Sequence, residues 1–278
     1  QKVSKKAAVK KFKLITAIVV PVVMVILLFT QWILPNFIQP AVAYNNAEEM
    51  LSAGQYDEAK KAFEALGEYS DSAEMVIEVS YQNACHLEEL GDYDAALSAF
   101  NALGEYKESK NHIENIVEIT NAKAYDEAVQ KFNAGEYDVA IEMFELLGNY
   151  KDCTSFAEEA KYLYASDLLN NSQYEDAKVL FEEVSEYSDS KDKIIECNYL
   201  IAQNLLAKNK YLDALPLFEA LNNYKDSQMY LSECKYLKAK GLISSGDYSG
   251  AVSLLSEISQ YKDASEYIKL IENVQSLI

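Results

Sequence analysis

One eight-point pattern recurs six times along the chain, and that recurrence limits the fold more than any single motif does. In the copy that opens at Tyr81 it runs Tyr81, Ala84, Tyr93, Ala96, Phe100, Leu103, Tyr106 and Ser109. The same string opens at Tyr44, Tyr125, Tyr162, Tyr199 and Tyr236. A repeat of this length is one supersecondary unit that cannot bury its apolar face alone, so neighbouring copies must stack. The three tyrosine columns hold 18 of the chain's 21 tyrosines, which marks these residues as architecture rather than scattered contacts.

The period is 37 residues except between the second and third copies, where it is 44. The seven extra residues fall between Ser109 and Tyr125. Seven residues are close to two helical turns, so a helix can absorb them with its buried face nearly in phase. A loop faces no such restriction, and the spacing therefore predicts one long helix over Ser109 to Ala134.

Local rules fill in each copy. Asp71-Ser72-Ala73-Glu74 reads as a helix start, with Asp71 as N-cap and Glu74 as its capping-box partner. A long helix A then runs to about Leu90. Gly91 ends it, since glycine adopts positive φ at little cost. Gly54, Gly135 and Gly246 hold the same place, and Ser172 and Asn209 replace them in copies four and five. A short helix B follows from Tyr93 to Leu103, antiparallel to the first because the turn is short. The alanine columns, Ala47 and Ala59 with their equivalents, let the two helices approach closely, and a bulky residue there overpacks. Pro216 falls inside helix B of copy five, where it should remove a backbone bond and bend the helix. A seventh copy would open at Asn273 with its pattern degraded, which fits a terminal capping helix over about residues 264–278.

The first 43 residues differ in kind. They hold six lysines (Lys2, Lys5, Lys6, Lys10, Lys11, Lys13) and no acid, while the other 19 lysines face 44 acidic residues, a formal −25. Leu14 to Leu34 is apolar apart from Thr16, Thr30 and Gln31. At about 1.5 Å per residue this stretch spans a hydrocarbon core of ~30 Å. The division is thus a basic tail (1–13), a transmembrane helix (14–34), a spacer bracketed by Pro35 and Pro40 (35–43), and the repeats (44–278). The lysines place the N-terminus in the cytoplasm and the repeats outside, with Trp32 at the interface. A rival reading is a signal peptide cleaved at Ala41-Val42-Ala43, but the apolar run exceeds a usual h-region and ends nine residues before that site. The first residue is Gln rather than Met, so either the start was trimmed or the sequence is a fragment.

The acidic repeats offer no basic face, which excludes nucleic acid as a partner. Cys85, Cys153, Cys197 and Cys234 lack metal spacing. Cys197 and Cys234 hold equivalent places 37 residues apart, too distant across packed helices for an unstrained disulfide. All four read as small buried residues. His86 and His112 are the only histidines and read as surface or packing residues. No H-E-x2-H, P-loop, G-x-S-x-G or C-x2-C occurs, so no enzyme activity, cofactor, metal or small-molecule substrate is expected.

Ala84, Gly91, Tyr93, Ala96, Phe100 and Leu103 together resemble the tetratricopeptide repeat, as a variant with a longer period and with a Leu66-to-Ser72 link in place of that family's Asp-Pro. The basic tail, single anchor and repeats also look like membrane-anchored repeat proteins of Gram-positive bacteria. Such proteins often carry an N-terminal zinc ribbon. Since no Cys precedes Cys85, a ribbon of that kind would have to lie before Gln1. The resemblance covers Tyr44 to Ile278. It implies an all-α protein: a single N-terminal transmembrane helix, then a right-handed α-solenoid of six 37-residue helix-turn-helix repeats and a C-terminal cap. It also implies a concave groove lined by helix A, where a protein or peptide binds. Carried over position by position, the groove residues are Tyr44, Asn45, Glu48, Tyr81, Gln82, Glu88, Glu89, Tyr125, Asp126, Tyr162, Ser166, Asn170, Tyr199, Gln203, Tyr236 and Lys240. Sameness across copies favours structure for the tyrosines, so specificity is expected from variable neighbours such as Gln82, Asp126, Gln203 and Lys240. The expected function is a membrane-anchored scaffold; the alternatives are a passive stalk and a sensor ectodomain serving a preceding cytoplasmic domain.

Overall fold

The computed structural model describes residues 2–276, with side chains from Lys10 onward, and contains helices and turns but no strand among the described residues. The chain forms two compact units, residues 1–120 and 121–278. The first holds α1 (Lys2–Leu28), a π-helical stretch (Phe29–Ile38), α2 (Gln39–Ser52), α3 (Tyr56–Leu66), α4 (Ser72–Glu89) and α5 (Tyr93–Leu103). The boundary falls inside α6 (Ser109–Asn133), the long helix that the seven extra residues require. The second unit continues with α7 (Tyr137–Leu147), α8 (Cys153–Asn170), α9 (Tyr174–Glu183) and α10 (Ser190–Ala207). It ends with α11 (Tyr211–Leu221), α12 (Ser227–Ser245), α13 (Tyr248–Glu257) and α14 (Ala264–Gln275). Within each unit successive helices pack in chain order, α2 on α3 through α5, and α7 on α8 through α14.

Backbone chemistry sets the element ends. Gly54, Gly91, Gly135 and Gly246 all take positive φ between long and short helices, and Ser172 and Asn209 do so in their place. A second left-handed position lies just past the short helices, at Gly67, Gly104, Gly148 and Asn222. Copies four and six carry Ser185 and Ser259 there, and their helices α9 and α13 stop after 10 residues rather than 11. Pro216 does not shorten its helix: α11 keeps the 11-residue span of α3, α5 and α7. The one bond a mid-helix proline forfeits is thus absorbed by the packing around it.

The core repeats along the chain. All twelve residues of the two alanine columns, and the six residues from Phe63 to Leu255 in the aromatic column, have no exposed surface. A Cβ methyl is the largest group that fits where two helices meet, and each phenylalanine fills the space beside it. At the start of the next long helix a buried serine closes the layer. Ser72, Ser109 and Ser190 donate to the carbonyls of Tyr69, Tyr106 and Tyr187 at 2.5–2.6 Å. Ser227 is equally buried and its hydroxyl has no partner, while Cys153 and Ala264 take that column elsewhere.

The N-terminal region is helical up to the first copy. Residues 35–43, read from sequence as a separate spacer, continue the helix: Pro35 lies in the π-helical stretch, and Pro40 follows in the first turn of α2. From Leu14 to Phe29 the large apolar side chains stand exposed, Leu14 at 65% and Val25 at 64%. The helical run Lys10–Ser52 is long and apolar enough to cross a membrane. The side chains of Lys2, Lys5 and Lys6 lie outside the described ones, as do Leu277 and Ile278 of the expected cap; α14 itself begins at Ala264 as the pattern predicts.

Two pairs of substitutions test this packing. Ala96→Leu should lower unfolding free energy by about 1–3 kcal/mol, whereas Ala65→Leu on an exposed face should change it by less than ~0.5 kcal/mol. Ser190→Ala should cost about 0.5–1.5 kcal/mol, but Ser227→Ala should leave stability unchanged or raised, because it removes an unpaired buried hydroxyl. Urea titration measures all four.

Candidate functional site

The long helices carry the first tyrosine column, the most conspicuous of the residues expected to line a groove. Each ring meets the buried aromatic of its own copy edge-on, as Tyr44 does Phe63 at 5.3 Å and Tyr162 does Phe181 at 5.7 Å. The hydroxyl then reaches a carboxylate 27 residues later, at the start of the next long helix. Tyr44 donates to Asp71, Tyr125 to Asp152, Tyr162 to Asp189 and Tyr236 to Asp263, each at 2.6 Å, and Tyr81 donates to Glu108 at 3.2 Å. Tyr199 differs: its hydroxyl accepts from Gln203 Nε2 at 2.9 Å.

This link overturns the capping-box expectation. Asp71 stands at the N-cap of α4, but its side chain makes no capping bond. Its carboxylate is occupied by Tyr44 and by Ser70 Oγ at 3.1 Å. An O–H donor to an ionised carboxylate makes the shorter and stronger bond. Side-chain caps of the expected kind occur instead on short helices, at Asp92 and Asp247. The hydrogen bond to Asp71, then burial, raises the Tyr44 pKa to about 12. The bond to Asp152, then burial, does the same for Tyr125. In return the Tyr44 hydroxyl holds Asp71 below the usual carboxylate range.

The third tyrosine column makes a second link. Glu78 on α4 accepts from Tyr106 at 2.9 Å and from Lys107 at 2.5 Å. Glu196 binds Tyr224 and Lys225, and Glu233 binds Tyr261 and Lys262, in the same arrangement. These lysines take φ of 46–48°, a left-handed turn that aims each ammonium back at the preceding long helix. Burial works against the Glu78 charge, but the bonds from Gln82, Lys107 and Tyr106 outweigh it and its pKa falls.

Most of the expected groove residues are therefore engaged within the fold. Tyr199 and Tyr236 are buried and the other four tyrosines half-buried. Gln82 donates to Glu78, and Ser166 to the Tyr162 carbonyl. Lys240 lies over the Tyr236 ring. Glu88 faces His112 Nδ1 at 2.5 Å and accepts from Asn115 at 3.1 Å, while His112 stacks on Phe100 at 4.7 Å. Asn45, Glu48, Glu89, Asp126 and Asn170 are exposed. Asn170 lines a cleft of about 500 Å³ with Asp189, Asp192, Lys193 and Glu196.

Two findings lay beyond the sequence reading. Cys153, Cys197 and Cys234 are buried, but Cys85 is half-buried, because it occupies the long-helix column held by Glu48, Val129, Ser166, Gln203 and Lys240. The more apolar clefts open between short helices rather than along long ones: one of about 440 Å³ among α3, α4 and α5, another of about 510 Å³ among α9, α10 and α11. Among the described residues no cluster of three His, Cys, Asp or Glu side chains is arranged to hold a metal. Known protein families and curated proteins give no match to this chain.

The tyrosine–carboxylate links carry a pH signature. Tyrosines whose folded pKa lies above the unfolded value of ~10 contribute stability that is complete below pH 10 and lost as pH rises toward 12. A Tyr44→Phe, Tyr125→Phe double variant should lose stability less steeply than wild type between pH 10 and 12. Equal slopes in chemical denaturation would show that these hydroxyls do not bear on folding.

Proposed function

We propose that the chain is a membrane-anchored scaffold: a tetratricopeptide-like solenoid held outside the membrane by one N-terminal helix and presenting surface to a protein or peptide partner. The observation that supports this best is the uncovered apolar helix feeding without interruption into a packed helical body. Exposed branched side chains over Leu14–Phe29 are unstable in water and suit hydrocarbon. Lys10, Lys11 and Lys13 sit on one side of that stretch, which orients the tail inward and the repeats outward. The Ala41-Val42-Ala43 tripeptide lies within α2, and a helical backbone is a poor protease site, which supports an anchor retained rather than cleaved.

The partner surface is assigned to variable exposed positions rather than to the tyrosines. Rings and hydroxyls that join one copy to the next cannot be exchanged to suit a ligand. Asn45, Glu48, Glu89, Asp126 and Asn170 can, and the formal −25 of the repeats favours a basic partner.

Protease added to intact cells should degrade residues 44–278 and leave a membrane-retained fragment that contains residues 14–34, identified by mass. Full protection of the repeats until the membrane is permeabilised would reverse the topology, and recovery of an intact species beginning at Tyr44 in the medium would make the protein secreted. Photocrosslinkers at Glu48 and Asp126 should capture a partner that Tyr125→Phe still binds.

A further inference from the structure

Four joints between neighbouring copies lie wholly inside one unit or the other, and the same three columns recur at each on the short-helix side. At two joints an ion pair spans the columns, and at the second of them a smaller cleft of about 300 Å³ remains, lined by Ser232 and Glu257. Lys161 on α8 reaches Glu145 on α7 at 2.7 Å and Glu183 on α9 at 2.8 Å. Lys235 on α12 reaches Glu257 on α13 at 2.5 Å. In both cases the preceding short helix supplies an apolar residue, Ile141 or Leu215.

The other two joints invert this chemistry. The long-helix position is Ser80 or Asn198, and the acid is replaced by Ala102 or Ala220. A lysine, Lys60 or Lys178, stands where the apolar residue stood. The result is the pair of clefts of about 440 and 510 Å³, a size that takes a side chain with part of its backbone. Ile77 and Leu103 line the first, Ile195 and Leu221 the second, and the isoleucines are 43% and 39% exposed. Each cleft thus keeps its cation and loses the carboxylate of the following short helix, although Asp57, one turn before Lys60, also lines the first. Among the described residues Lys60 has no ion pair, and Lys178 has only Glu182 of its own helix at 3.6 Å.

We propose that these two clefts are equivalent binding sites for a segment of a partner protein that presents an apolar side chain beside a carboxylate. The apolar group seats against the isoleucine and leucine, and the carboxylate meets the lysine. The ligand then supplies the ion pair that Glu183 and Glu257 supply from within at the ion-paired joints. Three columns changing together at both open joints, and at neither ion-paired one, is what charge complementarity to an acidic ligand requires. The proposal concerns the short-helix side and does not depend on the long-helix surface: a ligand held there would leave Ile77 and Ile195 undisturbed.

The test uses the full chain in lipid nanodiscs with isoleucine methyls labelled for NMR, and N-acetyl-leucyl-glutamate amide as probe. The Ile77 and Ile195 methyls should shift saturably, and the glutamine analogue of the probe should bind at least ~5-fold more weakly. Copying the ion pair into the first cleft, Ser80→Lys with Ala102→Glu, should abolish the Ile77 shift while Ile195 still responds, so the second cleft reports that the chain is folded. Should that variant fail to fold, Lys60→Glu provides the same reading: Ile77 should then respond to the leucyl-lysine amide instead. Still methyls in wild type, equal binding of charged and neutral probes, or an Ile77 shift that survives the copied ion pair would each overturn the assignment.

Discussion

Close approach of neighbouring helices at the alanine columns is the constraint on which the rest of the structure depends. With no side chain beyond Cβ at the contact, backbones draw near enough for Phe63, Phe100, Phe144, Phe181 and Phe218 to be sealed completely. That proximity brings the hydroxyls of Tyr44, Tyr81, Tyr125, Tyr162 and Tyr236 within reach of a carboxylate at the start of the next long helix. Were the helices even slightly further apart, the ring would still pack but the bond would need a bridging water. Apolar contact thus sets the distance, and the polar links fix one stacking register among those the contact alone would permit.

Two sorts of polar link do this fixing. The tyrosine–carboxylate bond joins the middle of one long helix to the residue just before the next. The Glu78, Glu196 and Glu233 clusters bind the loop just before that residue. Both are partly shielded by the rings beside them, so they act at lower effective dielectric than open surface pairs such as Lys191–Glu186. The N-terminal apolar helix, long enough to cross a membrane, follows the opposite logic: its backbone bonds are internal to the helix, and its exposed side chains leave further contact to the surrounding phase.

Much of this was legible in the residues. Tyr93–Leu103, the long helix from Ser109, the turn glycines and the start at Ala264 all followed from periodicity and backbone preference, because those signals are local. The failures concerned residues whose partner is distant in sequence. Asp71 was read as a cap from its neighbours, although its partner is Tyr44; Glu88 was read as groove surface, although His112 and Asn115 claim it. Cys85 was read as buried from its residue type, against the column it occupies. The column pattern of Lys60, Ser80 and Ala102 was present in the sequence throughout, but its meaning depends on which three columns face one another across two helices.

The tyrosine–carboxylate link also decides where one module of this protein ends and another begins. Counting from tyrosine to tyrosine, every copy but the fifth contains both its hydroxyl and the acid that receives it, since Asp71 precedes Tyr81 and Asp263 precedes Asn273. Yet that acid stands just before the following helix. A cut made ahead of the N-cap would therefore strand a donor on one side and an acceptor on the other, whereas a cut inside the helix at the tyrosine keeps Tyr44 with Asp71 but parts Glu78 from Tyr106 and Lys107. A unit counted from tyrosine to tyrosine thus keeps the tyrosine–carboxylate bond whole while standing half a helix out of step with the folded helix pair.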